Sequence, residues 1–188
     1  MRIVMSLTVD VDVTRLIRFT RQSGLNFYGV MVWTVSKVVN AHDEFKYGWS
    51  KGGDLIRWEV ISPSYVHFHP EDQRFTKLFT PFSPDLASFH AQFLADKEAY
   101  RDRRDILPGQ APNFFDVSCL PWVRYRHCDL HVFDDGRFLA PVVTWGKYEE
   151  EQGRWSMPLT MNLHHAVADG FHLCRFFQET QELIDTLA

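Results

Sequence analysis

The 188-residue sequence predicts one α+β domain over residues 1–188, in which helices flank a mixed or antiparallel β-sheet. Apolar and polar residues alternate from Ile3 to Val11, which is the period of a half-buried strand. From about Gly170 the apolar residues instead recur at the spacing of an amphipathic helix. Strand patterns and helix patterns are mixed along the chain, and we find no repeat or linker that would divide it.

The first half predicts two helices between the first strand and a run of short strands. One helix begins at Asp12 or Thr14 and ends before Gly24, because glycine readily adopts the left-handed conformation that terminates helices. The second spans 27–40, is capped by Asn26, and is apolar nearly all round, which predicts that it is buried. Strands are predicted at 45–49, 55–60 and 65–69, with a glycine-containing turn joining the first two.

The second half predicts one helix, several strands and a final helix. The third helix begins at Ser83 with Pro84 in its first position, and the charged cluster 101–105 is its solvated end. Strands follow at 114–118, 129–133, 138–147 and 155–163, with a loop at 108–112 and a last helix from about Gly170.

Composition limits the possible partners. Lys and Arg number 20 against 24 Asp and Glu, so the chain lacks the basic field expected of a nucleic-acid-binding protein. No apolar stretch reaches the length of a membrane span, and the amino terminus does not resemble a signal peptide. Three scattered cysteines are typical of reduced thiols in a cytosol. The sequence therefore predicts a soluble cytoplasmic protein with no nucleic-acid or membrane partner.

The stretch 159–172 is the strongest candidate for chemistry. An apolar run ends in His164 and His165, and an Asp169-Gly170 pair precedes the last helix. A neutral imidazole can accept a proton from a hydroxyl near pH 7, so His165 is a candidate general base. The competing interpretation is structural, with one histidine buried and hydrogen-bonded and the other exposed. Asp169 would then orient a histidine or, more simply, cap the last helix.

Other chemistries have weaker patterns. His67 with His69, or Asp129 with His131, could each place two metal ligands on one strand face, but a third ligand would have to come from elsewhere. No spacing matches a zinc signature, and we predict no metal. Ser118 and Cys119 lie in no recognisable nucleophile motif, and no glycine-rich phosphate-binding loop is present.

The stretch 164–172, His-His-Ala-Val-Ala-Asp-Gly-Phe-His, resembles the signature of the chloramphenicol acetyltransferase family. The acyltransferase domains of 2-oxo-acid dehydrogenase complexes share its His-x-x-x-Asp-Gly core but match less of the rest. Further blocks resemble the family in the same order, so the similarity covers essentially the whole chain. These blocks are Phe27-Tyr28-x-Val30-Met31, Ser118-x-Leu120-Pro121-Trp122, Ala140-Pro141-x-x-Thr144-x-Gly146-Lys147-Tyr148 and Met157-Pro158-Leu159.

The resemblance implies an acetyl-CoA-dependent O-acetyltransferase that acts on chloramphenicol or a similar amphenicol and so confers antibiotic resistance. It implies a homotrimer with active sites at the subunit interfaces. His165 would be the base, Ser118 the donor to the tetrahedral oxyanion, and Thr144 would assist through a bound water. Asp169 would support the local turn through a salt bridge to an arginine.

The resemblance also implies where the two substrates bind. Trp122, Lys147 and Tyr148 match positions near coenzyme A. Apolar positions of the acceptor pocket are matched by Leu130, Val132 and Val142. From the residues alone, His165 and Ser118 could meet within one subunit or across an interface.

Two departures from the family pattern leave alternatives open. The family carries a leading segment before the strand that starts near Ile3, with the arginine that pairs with the motif aspartate and an aromatic pocket residue. The family also often has lysine, near the coenzyme A phosphate, where this chain has Asn26. The alternatives are an acyltransferase for a different alcohol or thiol, and an oligomeric binding protein with impaired catalysis.

Overall fold

The structure is a computed structural model that describes residues 3–105, 111–130, 132 and 134–188. In these ranges, four α-helices and nine β-strands form a single domain. The elements are β1 (Val4–Asp12), α1 (Thr14–Ser23), α2 (Phe27–Ala41), β2 (Tyr47–Trp49), β3 (Leu55–Arg57), β4 (Ser62–His69), β5 (Arg74–Phe79), α3 (Leu86–Ala99), β6 (Phe114–Leu120), β7 (Val142–Gly146), β8 (Glu149–Glu151), β9 (Arg154–His164) and α4 (Gly170–Thr186). None of the described helices is long and apolar enough to span a membrane.

Seven strands form one mixed sheet, which confirms the predicted α+β class. The strand order is β1-β9-β7-β6-β4-β5, and β8 pairs with β9 beside this path. The pairs β4/β6 and β6/β7 are parallel, and the remaining pairs in this sheet are antiparallel. Strands β2 and β3 form a separate hairpin, shorter than predicted because residues 43–46 form a 3₁₀ turn.

Helix α2 is the centre of the core, as its apolar composition predicted. The Asn26 side chain accepts a hydrogen bond from the Gly29 N–H at 3.0 Å and so caps the helix. A Cβ at Gly29 would lie 2.9 Å from the Phe93 ring, so glycine permits the close approach of α2 and α3. The helix contacts α1, α3, α4 and β4, which leaves most of its surface buried.

Capping residues set the ends of the other helices. Helix α1 ends before Gly24, whose φ of 72° is left-handed, and α4 begins directly after Asp169, as predicted. The predicted start of α3 is wrong, since the helix begins at Leu86. Asp85 accepts a hydrogen bond from the Ser88 N–H at 2.8 Å and so caps the helix two residues beyond Ser83.

The segment 121–141 departs most from the prediction. Asp129, Leu130 and Val132 are not in a strand, whereas His131 and Phe133 lie outside the described residues. The strand predicted at 138–147 is limited to β7, and β5 and β8 were not predicted. The described part of the segment contacts the sheet through single hydrogen bonds and not through a strand ladder. One of them runs from the Ser6 hydroxyl to the Cys128 carbonyl at 3.2 Å.

Candidate active site

Four hydroxyl side chains form a row across the sheet. Thr8 pairs with Thr160, Thr160 with Thr144, and Thr144 with Ser118, on β1, β9, β7 and β6. Residues directly opposite each other in neighbouring strands point to the same face, so the four side chains share one side of the sheet. We call this set the hydroxyl row. The structure therefore brings Ser118 and Thr144, predicted from distant parts of the sequence, into adjacent positions.

Hydrogen bonding differs along the hydroxyl row. The Thr160 hydroxyl lies 2.7 Å from the Thr8 hydroxyl and donates to the Tyr125 hydroxyl at 3.0 Å. Tyr125 in turn donates to the Thr144 carbonyl at 2.8 Å. The Thr144 hydroxyl is buried and has no hydrogen-bond partner among the described residues. Thr144 and Ser118 are therefore the members of the row whose hydroxyls have no hydrogen-bond partner among the described residues, and that of Thr144 is buried.

An aromatic cavity of about 880 Å³ opens at one end of the hydroxyl row. Ser118 lines it together with Trp122, Lys147 and Tyr148, the three residues predicted to contact coenzyme A. The Trp122 side chain is 62% exposed, and the Tyr148 ring packs 5.2 Å from the Phe27 ring. We call this the donor cavity. Its exposed rings and the Lys147 ammonium suit a long ligand with both flat and anionic parts.

A second cavity, of about 630 Å³, lies beside β7 and β9. Its wall includes Leu130, Val132 and Val142, the three predicted acceptor contacts, and we call it the acceptor cavity. Val142 precedes Thr144 by two residues on β7, so both face the same side of the sheet. The floor of the acceptor cavity thus lies roughly 7 Å from the hydroxyl row.

His165 follows the last residue of β9, where the chain leaves the sheet. Its backbone N–H donates to the Ile3 carbonyl at 2.8 Å, which fixes the main chain at this point. Its ring Nδ1 lies 2.9 Å from the Ala168 carbonyl oxygen. Because a carbonyl can only accept, Nδ1 carries the proton and Nε2 presents the lone pair that a general base needs.

Asp169 caps helix α4. Its Oδ1 accepts the Phe171 N–H at 2.9 Å and lies 2.8 Å from His172 Nδ1. Desolvation opposes ionisation, but these hydrogen bonds hold the pKa of Asp169 below its usual range. Among the described residues no arginine pairs with this carboxylate, and Arg175 on α4 contacts Glu44 instead. Asp169 supports the turn through the helix cap.

Within one chain His165 and Ser118 are far apart. His164 lies four residues beyond Thr160 on β9, and Ser118 is two strands away from Thr160. With about 3.3 Å per residue and 4.8 Å between strands, the Cα atoms of His164 and Ser118 are roughly 16 Å apart, and His165 is the next residue along the chain. His165 lines neither the donor cavity nor the acceptor cavity. One chain does not bring the candidate base and the candidate oxyanion donor to a single carbon atom.

The alternative chemistries find little geometric support. In the described part of the chain, no three potential metal ligands lie close together. The rings of His67 and His69 are 4.6 Å apart, but His69 Nε2 contacts the Thr76 hydroxyl at 3.0 Å. The pair Asp129 and His131 cannot be placed, since His131 lies outside the described residues. Burial raises the pKa of the Cys119 thiol to about 12, which disfavours a nucleophilic thiolate.

Sequence reasoning missed two residues of the site. Tyr125 connects the covering segment to the hydroxyl row, and no local pattern marks that role. Asn162 lines the acceptor cavity next to His164. A period-two interpretation of β9 could have found it, because Asn162 and His164 share a face with Thr160.

Solved structures with the same fold include two acetyltransferases. A chloramphenicol acetyltransferase superposes with a TM-score of 0.81 and 19% identity, covering 96% of this chain and 88% of that one. A dihydrolipoamide acetyltransferase from Azotobacter vinelandii gives a TM-score of 0.74 at 15% identity, covering 97% and 82% respectively. At these identities the likeness establishes the fold.

Sequence comparison defines the family. The family model for chloramphenicol acetyltransferase matches residues 1–181. A chloramphenicol acetyltransferase from Streptomyces acrimycini is 39% identical over 95% of this chain and 82% of the relative. Chloramphenicol acetyltransferase 3 from Escherichia coli is 36% identical, over 96% and 85% respectively. The chain belongs to the chloramphenicol acetyltransferase family, which confirms the resemblance seen in the sequence.

Proposed function

We propose that this protein transfers the acetyl group of acetyl-CoA to a hydroxyl of chloramphenicol or a similar amphenicol. The observation that carries the proposal is that Ser118 lines the donor cavity and is paired in the sheet with Thr144, which is two residues from Val142 of the acceptor cavity. The donor cavity is aromatic and cationic, whereas the acceptor cavity is lined largely by aliphatic side chains. Family membership supports the same activity.

The proposed mechanism is direct transfer with no covalent enzyme intermediate. His165 Nε2 removes the proton of the acceptor hydroxyl, whose oxygen then attacks the thioester carbonyl carbon. The Ser118 hydroxyl donates a hydrogen bond to the resulting oxyanion, and the Thr144 hydroxyl assists through a bound water. When the carbon–sulfur bond breaks, the proton held by His165 passes to the leaving sulfur. The products are the acetyl ester and free coenzyme A thiol.

The rate enhancement expected from the base alone or from one oxyanion donor alone is limited, so both groups must act on the same carbon atom. A positioned base is worth roughly 10² to 10⁴ in rate. One oxyanion donor is worth roughly 10² to 10³. Trp122 and Tyr148 would pack against the flat parts of acetyl-CoA, and Lys147 would neutralise phosphate charge at the mouth of the donor cavity.

We further propose a homotrimer in which His165 of one subunit completes the site that contains Ser118 of its neighbour. The support is the separation of roughly 16 Å, within one chain, between Ser118 and His164, the residue that precedes His165. A closed ring of identical contacts would repeat the same complete site at each interface. We place this enzyme in the cytoplasm, in keeping with three cysteines that are all unpaired in the structure.

Mixed oligomers test this arrangement. His165→Ala and Ser118→Ala are each expected to be nearly inactive alone. If the site is shared, trimers assembled at random from equal amounts of both variants contain intact sites, at about one quarter of the wild-type number. If each site lies within one chain, the mixture stays as inactive as its components, and that result would refute the shared site.

The acceptor is tested by the release of coenzyme A thiol, followed with a thiol-reactive dye. We expect chloramphenicol to support turnover and expression to protect a sensitive host. Faster turnover with an unrelated alcohol or with a dihydrolipoyl thiol would contradict the proposed acceptor and leave acyl transfer intact. Absence of thiol release with every acceptor, from a folded protein, would favour the binding protein.

A further inference from the structure

Two buried polar side chains in the acceptor cavity each have one nitrogen atom without a hydrogen-bond partner in the described part of the chain. They are His164, which is 4% exposed, and Asn162, which is 2% exposed. Both line the cavity, and the atoms without a partner are His164 Nε2 and Asn162 Nδ2. Buried polar atoms in folded proteins nearly always have a hydrogen-bond partner. A ligand in the cavity is one way to provide it.

Both atoms are hydrogen-bond donors. The Ala166 N–H donates to His164 Nδ1 at 3.1 Å, so in the neutral ring the proton is on Nε2. Burial lowers the pKa of His164, which keeps the ring neutral. The Asn162 Oδ1 accepts the Leu130 N–H at 3.5 Å, which assigns the amide oxygen and leaves the NH₂ group towards the cavity. The two residues are on one face of β9, with Cα atoms roughly 7 Å apart.

Charge further restricts the ligand. Asp134 and Asp135 also line the acceptor cavity. The Asp134 carboxylate accepts the Gly136 and Arg137 N–H groups, both at 3.1 Å, which holds its negative charge in the turn beside the cavity. An anionic ligand would be repelled. The remaining wall includes Leu130, Val132 and Phe138, which suit an apolar or aromatic body.

We propose that His164 Nε2–H and Asn162 Nδ2–H are the polar recognition groups of the acceptor cavity. They donate hydrogen bonds to uncharged oxygen atoms, such as those of a nitro group, on the aromatic part of the acceptor alcohol. The proposal rests on the proposed function. His164 and His165 then have separate tasks, since His164 recognises the acceptor and His165 removes its proton.

A matched pair of acceptors tests the proposal in the wild-type protein. The two alcohols differ only in whether the ring carries a para-nitro group. We expect kcat/KM to favour the nitro compound by roughly 2- to 12-fold for each hydrogen bond made, which corresponds to about 0.5–1.5 kcal/mol. Equal kcat/KM for the two alcohols would overturn the proposal. Absence of thiol release with both would instead contradict the proposed function.

Substitutions separate recognition from general packing. Asn162→Asp retains an oxygen for the Leu130 N–H and replaces the donor by an acceptor. His164→Asn can retain an acceptor for the Ala166 N–H and removes the Nε2 donor. In each variant we expect the ratio of kcat/KM between the two alcohols to fall towards one. An unchanged ratio in both folded variants would show that water or a neighbouring subunit satisfies these donors, and would overturn the proposal.

Discussion

The substitution of threonine by valine at positions 144 and 160 should have opposite effects on stability. The two residues are direct neighbours in register on β7 and β9, and both are essentially fully buried. Threonine and valine have nearly the same shape, so each substitution exchanges a hydroxyl for a methyl group. The difference between the sites is hydrogen bonding. The Thr160 hydroxyl has two partners, and the Thr144 hydroxyl has none among the described residues.

The expected magnitudes follow from these contacts. Thr160→Val removes the 2.7 Å contact to Thr8 and the 3.0 Å bond to Tyr125, and should lower the free energy of unfolding by about 1–3 kcal/mol. Thr144→Val removes a buried hydroxyl that lacks a partner, which should raise it by about 1 kcal/mol. For a chain of this size each kcal/mol shifts Tm by roughly 2–4 °C.

Activity provides a second, independent readout. If the Thr144 hydroxyl stabilises the oxyanion through one water, its loss should lower kcat about tenfold, which equals about 1.4 kcal/mol. Thr144→Val is therefore expected to be more stable and less active than the wild type. Both variants are compared by thermal melting at one protein concentration, because Tm of an oligomer depends on concentration. A Thr144→Val protein that melts as early as Thr160→Val would refute the reasoning.

Two further predictions concern Ser118 and His67. Ser118→Ala should lower kcat by roughly 10² to 10³. It should change the free energy of unfolding by no more than about 0.5 kcal/mol, because the hydroxyl has no hydrogen-bond partner among the described residues. A large fall in melting temperature alongside the fall in kcat would contradict the oxyanion role. Burial, reinforced by the charges of Lys97 and Arg104, lowers the pKa of His67 to about 4. A histidine whose folded pKa is depressed contributes stability above pH 6.5 that is lost as pH falls towards 4. Between these pH values, Tm should therefore fall less steeply in His67→Asn than in the wild type. The same slope of Tm against pH in both proteins would refute the prediction.

Patterns among neighbouring residues in the sequence predicted individual strands, helices and helix caps. The alternation in β1, the apolar surface of α2 and the caps Asn26 and Asp169 all depend on residues within a few positions of each other. Family motifs predicted Ser118 and His165 as site residues. The structure adds their positions, and their catalytic roles are predictions that the Ser118→Ala and His165→Ala variants test.

Contacts between distant residues decided the rest. The segment 121–141 contains apolar residues at strand-like spacing, but its hydrogen bonds go to Ser6, Asn162 and Thr144 on the sheet face, which no local pattern encodes. Likewise, neither spacing nor motif gives the roughly 16 Å between Ser118 and His164, the neighbour of His165, because that distance depends on strand order. The unpaired donors of the acceptor cavity could be recognised only after burial was known.

The register that aligns Ser118 with Thr144 is maintained by the opposite face of the same strands. Val143 and Trp145 alternate with Thr144 on β7, are almost fully buried, and point towards the helices, where the Trp145 ring lies 5.4 Å from the Tyr28 ring of α2. A slip of one residue in β7 would move both to the opposite face of the sheet and place Thr144 in the core. Burying two large apolar side chains favours the observed register by several kcal/mol, at roughly 1.5–3 kcal/mol each. The packing of α2 therefore fixes the position of the candidate oxyanion donors, although α2 supplies none of them.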